Sequence, residues 1–338
     1  METFMFAVNA VGPIILLIFF GYYLKKKKFL EEDWFRKGNK LVFKVCLPVL
    51  LFINVYNIES LTDIKWSVVI YAEIAIFVVF LLGLLLVKIA IPNDKQKGVI
   101  LQCVFRSNFA IIGLPLAESL GGAEGVGVAA LLSAFSIPTF NILAVIALSM
   151  YNKNENGQKV SVGSMVKKVV TNPLIIGVVC GLIVLAIRSF IPTGEDGMPV
   201  FTLKENVPFL FNAVNNIAKI CSPLALIILG GLFDFSAVKE LRKQIVIGTV
   251  ARVVGTPLLA IGGAVLVSRF IPFFEMSSAA YPALVALFGS PVAVSSAIMA
   301  QEMDNDGVLA GQLVVWTSIA SIFTIFLAVV LLRGIGLL

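Results

Sequence analysis

The 338-residue chain contains no histidine. An imidazole proton relay, a Ser-His-Asp triad and a histidine-ligated metal are thereby excluded. Its four cysteines, Cys46, Cys103, Cys180 and Cys221, show no metal-ligand spacing, and neither a disulfide nor a bound metal is expected. No Gly-x4-Gly-Lys-Ser/Thr loop occurs, so ATP-driven work by this chain alone is excluded. With no catalytic signature left, an enzyme is not expected. Charge is scarce too: 14% of residues are charged and 59% hydrophobic, against about 25% charged in soluble domains. The chain does not read as a soluble globule.

What is abundant is apolar sequence. A membrane-spanning helix needs roughly 20 predominantly apolar residues. Ten such spans are predicted, near 4–24, 38–58, 66–90, 98–120, 125–150, 169–191, 207–232, 243–271, 276–301 and 307–333. The N-terminus, Met1-Glu2-Thr3, carries no basic leader, so the first span is expected to be retained.

The net charge of +6 does not point to nucleic acid, because of where the charges sit. Lys25, Lys26, Lys27, Lys28, Arg36, Lys37 and Lys40 follow the first span; Lys88, Lys95 and Lys97 follow the third. Lys153, Lys159, Lys167 and Lys168 follow the fifth; Lys239, Arg242 and Lys243 follow the seventh. The intervening loops hold only Lys65, Arg188, Lys204, Arg269 and Arg333. Positive residues concentrate on the cytoplasmic side. Both termini are therefore expected outside, in a multi-pass protein whose partner is the lipid bilayer.

The spans divide into two sets of five. Lys44-Val45-Cys46-Leu47-Pro48 in the second resembles Lys219-Ile220-Cys221-Ser222-Pro223 in the seventh. Pro48 and Pro115 lie 67 residues apart, Pro223 and Pro291 68, and Gly125 and Gly307 then open the fifth and tenth spans. The predicted fold is all-α: a first five-helix repeat over 1–150, a cytoplasmic linker over 151–168 and a second repeat over 169–338. An odd number of spans inverts the second copy, and inverted repeats are the basis of alternating access.

Each repeat contains a Gly-x-Pro inside an apolar span: Gly113-Leu114-Pro115 and Gly289-Ser290-Pro291. Proline removes a backbone hydrogen bond and breaks or kinks the helix. A broken helix in hydrocarbon needs protein or a cavity to satisfy its backbone. The half-helix starting after each break presents a positive dipole end that suits an anion. Pro115 lies nearer the outer end of its span than Pro291 does.

Arg106 sits about two and a half turns before Pro115. An ionisable residue at this depth is costly, and it is read as binding a substrate carboxylate or standing where a coupling cation would; alternatively it reaches the cytoplasmic interface. Asn108, Ser290, Ser295 and Ser296 cluster around the breaks, with Asn54 and Asn57 beyond Pro48 and Asn141 beyond Pro138. Lys44 and Lys219 are expected to donate to broken-helix carbonyls or to bind substrate, and Arg252 to snorkel to the interface. Glu73, in the third span, is the candidate proton carrier, since Glu118 and Glu302 lie near helix ends. An arginine with few carboxylates suggests an anionic substrate.

The motif Asn108-x4-Gly113-Leu114-Pro115-Leu116 resembles the broken fourth helix of the auxin efflux carrier family, which includes plant PIN proteins and bacterial permeases. Ala300-Gln301-Glu302-Met303 followed by Gly307-Val308-Leu309-Ala310 resembles the family's ninth-to-tenth helix junction. The resemblance covers essentially the whole chain, and the short central loop looks like the bacterial branch. It implies the fold of bile acid symporters and sodium/proton antiporters, with helices four and nine crossing in a mobile domain. Asn108, Gly113 and Pro115 would form the first crossover and Pro291 the second. Helices 1, 2, 6 and 7 would form a scaffold through which a homodimer forms; helices 3–5 and 8–10 would move as an elevator. Bacterial members are described as malate or malonate permeases. These expectations describe a carrier of small mono- or dicarboxylates in a bacterial inner membrane. It would need no cofactor beyond Na+ or H+ coupling. A cation-coupled symporter or antiporter, a non-transporting sensor and a channel remain as alternatives.

Overall fold

The computed structural model describes residues 2–57, 66–151, 162–188, 190–192 and 200–338. Most of the expected central linker, 152–161, and Lys65 lie outside them. Among the described residues the chain is helical, with no β-sheet. Six stretches are long and apolar enough to cross a membrane: Glu32–Tyr56, Trp66–Ala90, Ile111–Ser149, Pro208–Leu232, Arg242–Phe270 and Gly307–Gly334. Pro173–Arg188 and Ala280–Gly289 are shorter apolar helices.

In chain order the helices are α1 (Glu2–Lys26), α2 (Glu32–Leu41), α3 (Leu47–Tyr56), α4 (Trp66–Ala90), α5 (Asp94–Phe105) and α6 (Leu114–Ser149). After α7 (Val162–Val170) come α8 (Pro173–Arg188), α9 (Leu203–Asn206), α10 (Pro208–Leu232), α11 (Ala237–Glu240), α12 (Arg242–Val250) and α13 (Thr256–Phe270). The chain ends with α14 (Ala280–Gly289), α15 (Ser295–Glu302) and α16 (Gly307–Gly334).

Prolines account for a recurring local device. Single turns of wider π-helix span Val42–Cys46, Phe109–Gly113 and Ala251–Gly255. Each ends two residues before a proline: Pro48, Pro115 and Pro257. A proline ring clashes with the carbonyl four residues back and supplies no N–H. A wider turn re-routes the hydrogen bonds there, as when the Leu114 amide reaches back to the Phe109 carbonyl. The helix therefore continues through the proline.

This corrects one expectation. Gly113-Leu114-Pro115 does not break its helix; the break lies upstream, at Arg106-Ser107-Asn108, between α5 and the π-turn that leads into α6. In the second half the break does fall at the motif, since Ser290 is extended and α15 starts only at Ser295. Chain direction changes next at Gly122, whose φ of +57° is disfavoured for residues with a Cβ, rather than at Gly125. Gly307 opens α16 as expected.

Small residues set the packing of the long helices. α1 lies against α10, and a Cβ on Gly21 would meet the Ile227 carbonyl oxygen at 1.9 Å, one on Gly230 the Ile18 oxygen at 1.8 Å. α3 lies against α8, where a Cβ on Gly177 would meet the Pro48 carbonyl oxygen at 2.4 Å. Such approach is the usual solution in membranes, where packing rather than water exclusion holds helices together. The two broken helices are buried between the long ones: every residue of α14 is buried.

Candidate functional site

Two breaks meet at one point. Ser107 and Val292 form an isolated antiparallel bridge, and the Asn108 amide donates to the Pro291 carbonyl at 2.8 Å. Strand-like pairing satisfies backbone groups that neither helix can reach. Four helix ends therefore converge here: the carbonyl ends of α5 and α14, and the amide ends of the π-turn into α6 and of α15.

The amide ends face a cavity. Its walls are Leu47, Leu50, Leu51 and Asn54 from the second span, Cys221, Ser222 and Ala225 from α10, and Ile137, Phe140 and Asn141 from α6. The floor is the two breaks themselves, Arg106, Ser107, Asn108, Ile111, Ala293, Val294 and Ser295. First-turn amides lack intrahelical partners and carry the positive end of the dipole, so this floor is electropositive before any side chain is counted.

Arg106 adds a full charge. It is 4% exposed, and its guanidinium donates to Asn141 Oδ1 at 2.9 Å, Ser295 Oγ at 2.9 Å and Met299 Sδ. All three acceptors are neutral, and among the described residues no carboxylate lies within ion-pair distance. Asn141 is held in turn by donating to the Ile137 carbonyl at 2.7 Å. Beside the arginine, Ser107 Oγ and Asn108 Nδ2 are buried without a hydrogen-bond partner. Buried polar groups are rarely left so, and here three adjacent residues with spare hydrogen-bonding capacity line one cavity.

Arg252 behaves differently. The expected snorkelling does not occur: it is fully buried, deep in the protein. Its guanidinium donates to the carbonyls of Val104 and Phe105 at 3.2 Å each and of Ser290 at 2.6 and 3.0 Å, with longer contacts to Leu287 and Phe288. Unsatisfied carbonyls at two helix ends outcompete the distant interface for its donors. The carbonyl-donating role considered for Lys44 and Lys219 thus belongs to Arg252. Both lysines are exposed on outer helix faces and neither lines the cavity.

The remaining candidates are distributed unevenly. Asn54 and Ser295 reach the cavity, as does Asn141. Gly113, Leu114 and Pro115 lie beyond Ile111 and are not part of its wall. Gly113 serves packing, since a Cβ would meet the Phe109 ring at 2.3 Å and the Ala286 oxygen at 3.0 Å. Gly289, Ser290 and Pro291 stand behind the floor; the Ser290 hydroxyl turns back to the Ala286 carbonyl at 2.6 Å. Glu73 is outside the cavity, accepting from Thr139 Oγ1 at 2.7 Å, while its other oxygen is buried and unpartnered. Sequence reasoning missed Ser107, whose one signal was its place between Arg106 and Asn108. It treated Cys221 and Ser222 only as repeat markers.

A family described as membrane transport protein matches residues 6–329, nearly the whole chain. Protein PIN-LIKES 7 of Arabidopsis thaliana is 29% identical over 129 residues, 37% of this chain. The match spans 33% of that protein's length.

Proposed function

We propose that this chain, which belongs to the auxin efflux carrier family of membrane transport proteins, is a secondary transporter of small organic anions. The observation that carries the reading is Arg106: a buried cation with only neutral acceptors, beside a cavity it shares with Ser107 Oγ and Asn108 Nδ2. An unpaired charge away from water costs several kcal/mol, roughly, and a bound carboxylate would offset that cost. A guanidinium takes a carboxylate in a two-pronged grip that a lysine does not reproduce.

The cavity also favours one acid class. It offers one cation, since Arg252 spends its donors on backbone carbonyls, and most of the rest is Leu, Ile, Phe, Ala and Val. We infer a monocarboxylate with an apolar or aromatic body in preference to a dicarboxylate, whose second charge would face leucines.

For the movement, we propose ten spans in two inverted repeats and an elevator-type exchange. The glycine-packed pairs α1–α10 and α3–α8 would be the static scaffold, and the crossing the part that moves. Glu73 is the proposed proton carrier, because its unpartnered oxygen can take a proton without breaking the Thr139 contact. The termini would be outside and the membrane a bacterial inner membrane, with the scaffold forming a homodimer.

Counterflow in proteoliposomes tests this reading. Vesicles loaded with unlabelled monocarboxylate should accumulate the labelled acid transiently, with saturation. Binding without counterflow would identify a sensor; non-saturating flux would identify a channel. Either result overturns the carrier.

A further inference from the structure

The carbonyl side of the crossing holds a second site that the anion reading does not use. The carbonyls of Val104 and Phe105, at the end of α5, and of Leu287, Phe288 and Ser290, at the end of α14, all point at one spot. Each helix brings its negative dipole end to that spot. In transporters with broken helices, such carbonyl clusters at half-helix C-termini are where coupling cations sit. Here the spot is filled by the Arg252 guanidinium, fully buried, delivered from the π-turn between α12 and α13. Thr256 Oγ1, one turn along, donates to Val104 O at 2.8 Å and fixes the same edge.

We propose that Arg252 is a built-in counter-cation: it occupies a cation-binding carbonyl cage, ties both broken helices into one body, and makes a bound alkali-metal ion unnecessary. The guanidinium suits this place better than an ammonium would. It is planar, carries five donors and bridges two helix ends at once, whereas a lysine offers three donors at one point. Its charge is balanced by two dipole ends rather than by a carboxylate, which lets Arg106 on the amide side stay free for a ligand. Arg252 is thus a positioning residue that touches no cavity wall.

The test is a melting experiment on purified protein in detergent, and it needs no transported solute. It therefore stands or falls independently of the anion reading. Wild type, Arg252→Ala and Arg252→Lys are melted in choline chloride, in sodium chloride, and in choline chloride with low-millimolar guanidinium chloride. Wild type should melt identically in all three. Arg252→Ala should melt lower and recover with guanidinium, which can enter the vacated cage; recovery with sodium supports the same cage. Arg252→Lys should lie between. A sodium-dependent rise in wild type would overturn the proposal. So would an Arg252→Ala protein that melts like wild type, or one that is destabilised and deaf to both cations. Should Arg252→Ala not survive purification, Arg252→Gln is compared with Arg252→Lys: the lysine protein should melt higher, and equal melting overturns the proposal.

Discussion

The Asn108 amide donates to the Pro291 carbonyl at 2.8 Å, so a residue of the first break is bonded through its backbone to the proline of the second. That bond lies between two arginines with opposite surroundings. On the carbonyl side Arg252 is saturated; on the amide side Arg106 is not. The crossing thereby separates a cation whose donors are all spent on backbone carbonyls from one with donors to spare.

Because Asn108 holds the crossing through its backbone, its side chain can be removed without opening the break. Its Nδ2 is buried and unpartnered, so Asn108→Ala should leave the melting temperature unchanged or slightly higher. A hydrogen bond to a charged ligand is worth about 1.5–3 kcal/mol, so anion affinity should fall roughly ten- to hundredfold. A detergent melt checks the retained fold, and titration calorimetry with a monocarboxylate checks the lost affinity.

The two motif glycines should respond oppositely. A Cβ on Gly113 would press on the Phe109 ring and the Ala286 carbonyl, so Gly113→Ala should destabilise by about 1–3 kcal/mol. At Gly289 the nearest atoms, on Ile325 and Val285, would be 3.7 Å away, an ordinary contact. Gly289→Ala should be neutral or stabilise by up to about 1 kcal/mol, because alanine favours helix. Detergent melts of the two proteins, side by side, decide the matter; equal destabilisation would contradict the packing described here.

Much of the architecture was legible because membrane helices are written plainly, as runs of about 20 apolar residues. Each expected span falls on one or more helices, and Arg106 stood out because a charge at that depth is costly unless it reaches the interface or meets a ligand. The exact breaks were not legible. Proline signals trouble in a helix, but whether the chain breaks or widens into a π-turn depends on what lies beside it. Pro115 has a π-turn before it; Pro291 has the Asn108 amide waiting for its carbonyl. Arg252 was misread for a related reason. Near the basic loop of Lys239, Arg242 and Lys243 it looks like an interfacial residue, and its partners come from helices 35 to 148 positions away. Lys44 and Lys219 show the reverse error: their matched positions suggested a shared task, yet both point outward.

If Glu73 carries a coupling proton, Glu73→Gln should remove the pH dependence of net uptake. The variant keeps an acceptor for Thr139 Oγ1, so the α4–α6 contact survives. Counterflow exchange, which needs no net proton movement, should persist at near wild-type rate. Uptake that stays steeply pH-dependent in Glu73→Gln would place the proton elsewhere.

If the free charge of Arg106 binds the transported anion, its removal should abolish transport without unfolding the protein. Charge movement on a solid-supported membrane tests it most directly, with wild-type and Arg106→Ala proteoliposomes given aliphatic and aromatic monocarboxylates, then dicarboxylates. Wild type should give a saturable current for a monocarboxylate, and an Arg106→Ala protein that still elutes as a folded species should give none. A current of normal affinity in Arg106→Ala would contradict that role of Arg106.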